Sequence, residues 1–170
     1  RIIFYSLIIL FYLFIILIFY PGLFLQFSTR VPFGHHGDVQ NILSIINFSI
    51  RAPLSQIFHL PVFYPESFML THTHPLFGVS FFFKCFHFLG LNLLQSNNLY
   101  IILALILGAF GCYLLSGEFT KSRLIPLLFS SMYIIHHWNL THFTWLNFLS
   151  RFYLPFVFFF LIRFLKTKKK

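Results

Sequence analysis

Acidic side chains are almost missing from this sequence: Asp38, Glu66 and Glu118 are the only three in 170 residues. Charged residues of both signs make up 9%, against about 25% in an ordinary water-soluble domain. So little polar surface cannot cover a soluble globule, which excludes that class and leaves an integral membrane protein. Cysteine is scarce too. Cys85 and Cys112 lie in apolar runs without metal-ligand spacing, which excludes a disulfide framework, and both read as small packed hydrophobes. An initial Met is lacking, and so is a small-residue cleavage site after the first apolar run, which is also too long for a signal-peptide core. The expectation is a retained anchor opening an N-terminal fragment of a larger protein. Internal repeats of useful period are absent as well.

Apolar and basic residues fill the space. Hydrophobic residues reach 58%, and the formal net charge is +9. Two readings of that charge compete: cytoplasmic flanks of membrane helices, or a surface for nucleic acid or anionic lipid. The densest cluster, Lys166 and Lys168 to Lys170, abuts an apolar helix end. That favours topology, with membrane lipids as partners and no nucleic acid.

Residues 2–20 form an apolar stretch whose one clearly polar member is Ser6, closed by Pro21-Gly22. At ~1.5 Å per residue this reaches about 28 Å, enough for the hydrocarbon core. Prolines and polar residues recur through 24–75, and irregular backbone cannot face lipid, so a long loop outside the bilayer is expected. Within it, 38–51 is free of Pro and Gly. Val39, Ile42, Ile45, Ile46 and Ser49 share a face at helical spacing, which predicts an amphipathic helix on the membrane surface. Asp38 would cap its N-terminus.

Residues 76–94 are apolar but carry Lys84, His87 and Gly90, and read as a span or as a re-entrant element. The second choice leaves four crossings and puts Arg1, Lys121, Arg123 and the lysine tail on one side, as the positive-inside rule requires. A Lys84 in mid-span would also cost about 2.5–3.5 kcal/mol. Gln95 to Asn98 reads as a polar turn. The expected fold is an all-α polytopic membrane helical bundle, one membrane domain over 1–170. Its four transmembrane helices lie near 2–20, 99–116, 124–135 and 146–165, with a long outer loop over 21–98 that carries juxtamembrane helices.

In that topology the polar chemistry collects on the outer face: Asp38, Glu66, Arg30, Arg51, Lys84 and the histidines at 35, 36, 72, 74, 136, 137 and 142. Glu66 reads as a solvated loop residue. The histidine spacings differ from the HxxxH and HxxHH clusters of membrane di-iron enzymes, so interfacial histidines are expected rather than a metal oxidase. Trp138, Trp145, Tyr133 and Tyr153 read as an aromatic interface belt, with a sugar-stacking platform as the alternative. Two glycosylation sequons, at Asn47 and Asn139, sit close to the membrane.

The order of motifs carries a resemblance. Gly37-Asp38 follows the first span. Then come Phe63-Tyr64-Pro65-Glu66-Ser67-Phe68-Met69-Leu70 and Thr71-His72-Thr73-His74-Pro75-Leu76-Phe77-Gly78, and later a Gly-rich span, a basic turn, and Met132-Tyr133 leading to His142. Over roughly residues 1–165 this resembles the N-terminal half of bacterial polytopic glycosyltransferases of the GT-C fold. The resemblance implies sugar transfer from a polyprenyl-phosphate-linked donor on the extracytoplasmic face of a bacterial inner membrane. It implies that Asp38 is the first-loop acid, acting as general base or holding a divalent metal (Mg or Mn) or the acceptor. His74 and His142 fall near polar family positions, and Arg30, Arg51 and Lys84 would steady the departing phosphate. Gly37-Asp38-Val39 departs from the Asp-Glu pair of one branch, and the second outer loop has no acid. The alternative is a non-enzymatic membrane protein, either a transporter component or an assembly scaffold.

Overall fold

The computed structural model describes residues 2–30, 36–51, 77–136 and 150–168. Every regular element among them is helical: α1 (Ile2–Phe19), α2 (Gly22–Leu25), α3 (His36–Arg51), α4 (Phe77–Phe88), α5 (Leu93–Gly117), α6 (Leu124–Ile135), a 3-10 turn (Ser150–Tyr153) and α7 (Leu154–Thr167). Glu66, His72, His74, Trp138, Trp145 and His142 lie outside the described residues, as does the sequon at Asn139.

Helix α1 ends where the sequence says it must. Pro21 has no N–H to continue the ladder and opens the single turn of α2 instead. Ser6, the polar member of α1, returns its hydroxyl to the Ile2 carbonyl at 3.2 Å, so it adds no unpaired donor to an apolar helix. Helix α3 also forms as the periodicity predicts, but it starts at His36. Asp38 therefore stands inside the first turn and not at the capping position. The apolar face of α3 is in part spent on protein: Ile46 is fully buried, and α3 packs on α4.

The stretch 76–94 resolves into a short helix and a corner. Twelve residues of α4 reach only ~18 Å, less than a span needs. Gly90 stops it, with φ at 85°, a conformation that suits glycine. Its N–H donates to the His87 carbonyl at 2.9 Å, and Leu91 N–H to the Phe86 carbonyl at 3.1 Å. That bond pair is a Schellman stop. Two residues on, Asn92 caps α5: its side chain accepts from Gln95 N–H, and its own N–H donates to the Gln95 side chain, both at 2.9 Å. Gln95 to Asn98 is thus the first turns of α5 and not a turn between elements. The capping box joins the polar segment to the apolar run behind it, giving one helix of 25 residues.

Helix α5 is the hub. It packs against α1, α2, α4, α6, the 3-10 turn and α7. Contacts fix the directions. The Tyr5 ring near the start of α1 meets Phe110 near the end of α5 at 5.7 Å, while Ser28, beyond the end of α1, meets Gln95 at the start of α5 at 3.0 Å. The two helices are antiparallel. Helix α6 runs with α1: Arg123, just before it, lies over Phe4, and Tyr20 at the far end donates to the Ile134 carbonyl at 2.7 Å. Halfway along, Tyr12 bonds Ser130. Ser130 already donates to the Leu127 carbonyl at 2.9 Å, and a hydroxyl has one proton, so Tyr12 is the donor. Helix α7 runs with α5, from Phe156 beside Phe110 to Lys166 at Glu118.

The interior is mainly apolar but also buries Ser80, Ser96, Asn97, Asn98 and Ser130, while Leu10, Phe14, Leu128, Met132, Phe160 and Phe164 on the outside are each more than half exposed. Among the described residues two helices, α1 and α5, are long and apolar enough to cross a membrane. Two sequence readings need correction. Tyr133 is half-buried and fills the notch at Gly108, where an added Cβ would strike its ring, so it belongs to the bundle interior and not to an interface belt. Cys85 is exposed and not packed.

Gly108→Ala is expected to lower stability by about 1–3 kcal/mol through overpacking against Tyr133. Gly117→Ala, where nothing lies within 4 Å, is expected to be neutral or slightly stabilising. Thermal unfolding of the two variants in detergent compares them directly.

Candidate functional site

The helix directions sort the charged residues into two ends. At one end, α5 and α7 finish and α6 begins, which collects Glu118, Lys121, Arg123, Arg163, Lys166 and Lys168. At the other end lie Arg30, the polar start of α5, the end of α6 with His136, and Arg151 in the 3-10 turn. Helix α4 adjoins the first half of α5 there, with Phe82 and Phe83 against the Tyr100 ring at 5.7 and 5.9 Å, and it carries α3 on its other side.

The basic end is tied by its one acid. Lys166 Nζ lies 2.8 Å from Glu118 Oε2, and Arg163 Nε 3.5 Å from Oε1. Lys166 also donates to the Glu118 carbonyl at 3.0 Å, at the C-terminus of α5, where the helix leaves carbonyls free and favours a cation. Both cations are more than half exposed, so the pairs are worth at most about 1 kcal/mol. Arg123, Arg163 and Lys168 each sit over a phenylalanine ring, at 5.2, 5.4 and 4.7 Å. Cations on ring faces beside an apolar surface keep their stems on apolar groups and their charges at the rim.

The opposite end is held by amides. Asn98, fully buried, donates from Nδ2 to the carbonyls of Phe27 and Arg30 at 3.1 and 3.0 Å. Its Oδ1 accepts from Asn97 at 3.2 Å. Gln95 reaches Ser28 from the next turn. The chain leaving α1 is therefore fastened to the start of α5 through Phe27, Ser28 and Arg30. Two hydroxyls beside this junction, Ser96 Oγ and Tyr100 OH, are buried without a hydrogen-bond partner among the described residues.

Of the sequence-predicted site residues, Arg30 is exposed on this junction and Arg51 is exposed at the end of α3. Lys84 is half-buried in α4, and Asp38 is the third residue of α3. The elements that carry these four are at one end of the bundle. His74 and His142 lie outside the described residues. Among the described residues no three His, Cys, Asp or Glu side chains gather as metal ligands. A Mg²⁺ site takes one or two carboxylates, and the one carboxylate among the described side chains, Glu118, is at the basic end. The Mg or Mn expectation thus stands on Asp38 alone. Sequence reasoning missed Asn98 and Gln95; the N-x-x-Q capping pattern of Asn92 and Gln95 ahead of an apolar run is the signal that finds Gln95, while nothing local marks Asn98.

Compared with protein-family models, curated proteins and solved structures, the chain matches none.

Glu118→Gln is expected to reduce stability by less than about 1 kcal/mol, since its partners are solvent-exposed. Denaturation in detergent at low and high salt measures this, and the difference from the unsubstituted protein should shrink with salt.

Proposed function

We propose that this chain is the membrane part of a GT-C-type glycosyltransferase. It crosses the bilayer four times and transfers a sugar from a polyprenyl-phosphate-linked donor on the extracytoplasmic side of a bacterial inner membrane. The observation that carries the reading is the two-ended bundle: the elements bearing Arg30, Asp38, Arg51 and Lys84 share the end opposite Lys121, Arg123, Arg163, Lys166 and Lys168. With the lysine-rich end in the cytoplasm, α1, α5, α6 and α7 alternate in direction as four successive crossings require. The exposed apolar faces of α1, α6 and α7 then meet lipid. The 14 residues of α7 reach ~21 Å and its leading 3-10 turn adds ~8 Å, a span in sum. The 12 residues of α6 make it the short member.

The chemistry asks for few groups. An acceptor hydroxyl attacks the anomeric carbon, the new C–O bond forms, and the bond to the lipid phosphate breaks with its electron pair leaving on the phosphate. Asp38 takes the acceptor proton as general base. Its place in the first turn of α3 suits a carboxylate, because the helix dipole favours negative charge there. Arg30, Arg51 and Lys84 steady the phosphate. His74 and His142 would contact substrate from the same side. A transporter would place charged groups inside its spans; α1, α5 and α6 contain no Asp, Glu, Lys, Arg or His, and Arg163 and Lys166 of α7 lie toward its basic end.

Asp38→Asn is expected to cut sugar transfer in the intact protein at least about 100-fold, the usual contribution of a general base, with membrane insertion unchanged. Normal surface glycan in a strain expressing only this variant would refute the assignment. Single cysteines at Ser28 and Lys168, in a background with Cys85 and Cys112 replaced by serine, should be labelled by a membrane-impermeant maleimide from opposite sides. Labelling from the same side would overturn the topology.

A further inference from the structure

We infer that Asn98 is a positioning residue for the donor phosphate, acting through Arg30; this rests on the transferase reading above. The carboxamide has two N–H donors, and both go to one short piece of backbone, the carbonyls of Phe27 and Arg30. The same turn is closed internally, with Thr29 and Arg30 N–H groups donating to the Gln26 carbonyl at 3.0 and 3.2 Å. The turn that presents Arg30 is thus held from inside by its own bonds and from behind by α5.

Burial gives the clamp its weight. Asn98 is 0% exposed, and a buried amide without partners is strongly unfavourable. The amide and the two carbonyls must therefore stay together, since parting them would strand polar groups away from water. The Arg30 side chain, exposed at this point, stands on a fixed backbone, so only its own rotamers are left to order when it meets an anion. Ser28, bonded to Gln95, gives a second attachment one helical turn earlier on α5. Six residues further along the chain α3 begins. Its Ile46 is buried in the core.

The test uses undecaprenyl phosphate, the part common to all such donors, with the protein in nanodiscs. Asn98→Asp keeps the side-chain volume and turns both donors into acceptors facing carbonyls. It is expected to weaken undecaprenyl phosphate binding about tenfold in the unsubstituted background. In an Arg30→Ala background the expected loss is under about twofold, the non-additivity that marks two residues acting as one unit. Amide hydrogen exchange at Phe27 to Arg30 should quicken in Asn98→Asp. Asn98→Ala, which adds no charge, should repeat both results if the aspartate variant fails to fold. Additive losses, or unchanged exchange with binding intact, would overturn the role of Asn98. No binding by the unsubstituted protein would overturn the transferase reading itself, and the role of Asn98 with it.

Discussion

An N–H or O–H that is shut away from water is costly unless it finds a partner inside the protein, and in this chain that constraint, met nearly everywhere but at Ser96 and Tyr100 among the described residues, arranges much of the rest. The apolar side chains outnumber what the interior can hold, so helices α1, α6 and α7 turn apolar faces outward. The few polar groups are left in the seams. Ser6, Ser116 and Ser131 return their hydroxyls to carbonyls one turn back in their own helices. Tyr12 and Tyr20 join α1 to α6 through a serine and a free helix-end carbonyl. Asn98 and Gln95 do the same for α1 and α5. Shape supplies the rest: the notches at Gly108 and Gly111 admit Tyr133 and the Pro155-Phe156 pair.

Much of this was legible in the residues. The α1 run and its proline stop are read directly from composition. The bounds of α6 follow from the basic turn before it and the histidines after it. The helix at 36–51 follows from apolar spacing. What escaped was local. A cluster such as Gln95-Ser96-Asn97-Asn98 has the composition of a loop, and composition cannot say that its side chains are consumed by a cap and by a neighbouring backbone. The start of α5 was therefore set six residues late. Tyr133 escaped for a related reason. A tyrosine near the end of an apolar helix reads as an interface residue until a facing glycine shows where its ring goes.

The candidate site divides the same way. Charge pattern led to the expectation that Arg30, Asp38, Arg51 and Lys84 share the side opposite the lysine tail; the helix directions place Arg30 at the end away from Glu118, Arg163 and Lys166. Pattern could not show that Arg30 rests on a turn held by Asn98, because that contact joins positions 68 residues apart. Nor does the spacing of Arg163 and Lys166 reveal that both meet Glu118, which lies at the end of another helix. Long-range pairing of this kind is fixed by packing, and a chain read in order carries no mark of it.

The corner between α4 and α5 has a mechanical corollary. A Schellman stop and a capping box leave only Leu89 to Asn92 between the two helices, with hydrogen bonds made on each side. Such a joint has little slack. Tilting α4 against α5 would have to break one of these hydrogen-bonded caps, so the two helices should move as one unit, hinged only at the ends the caps leave free.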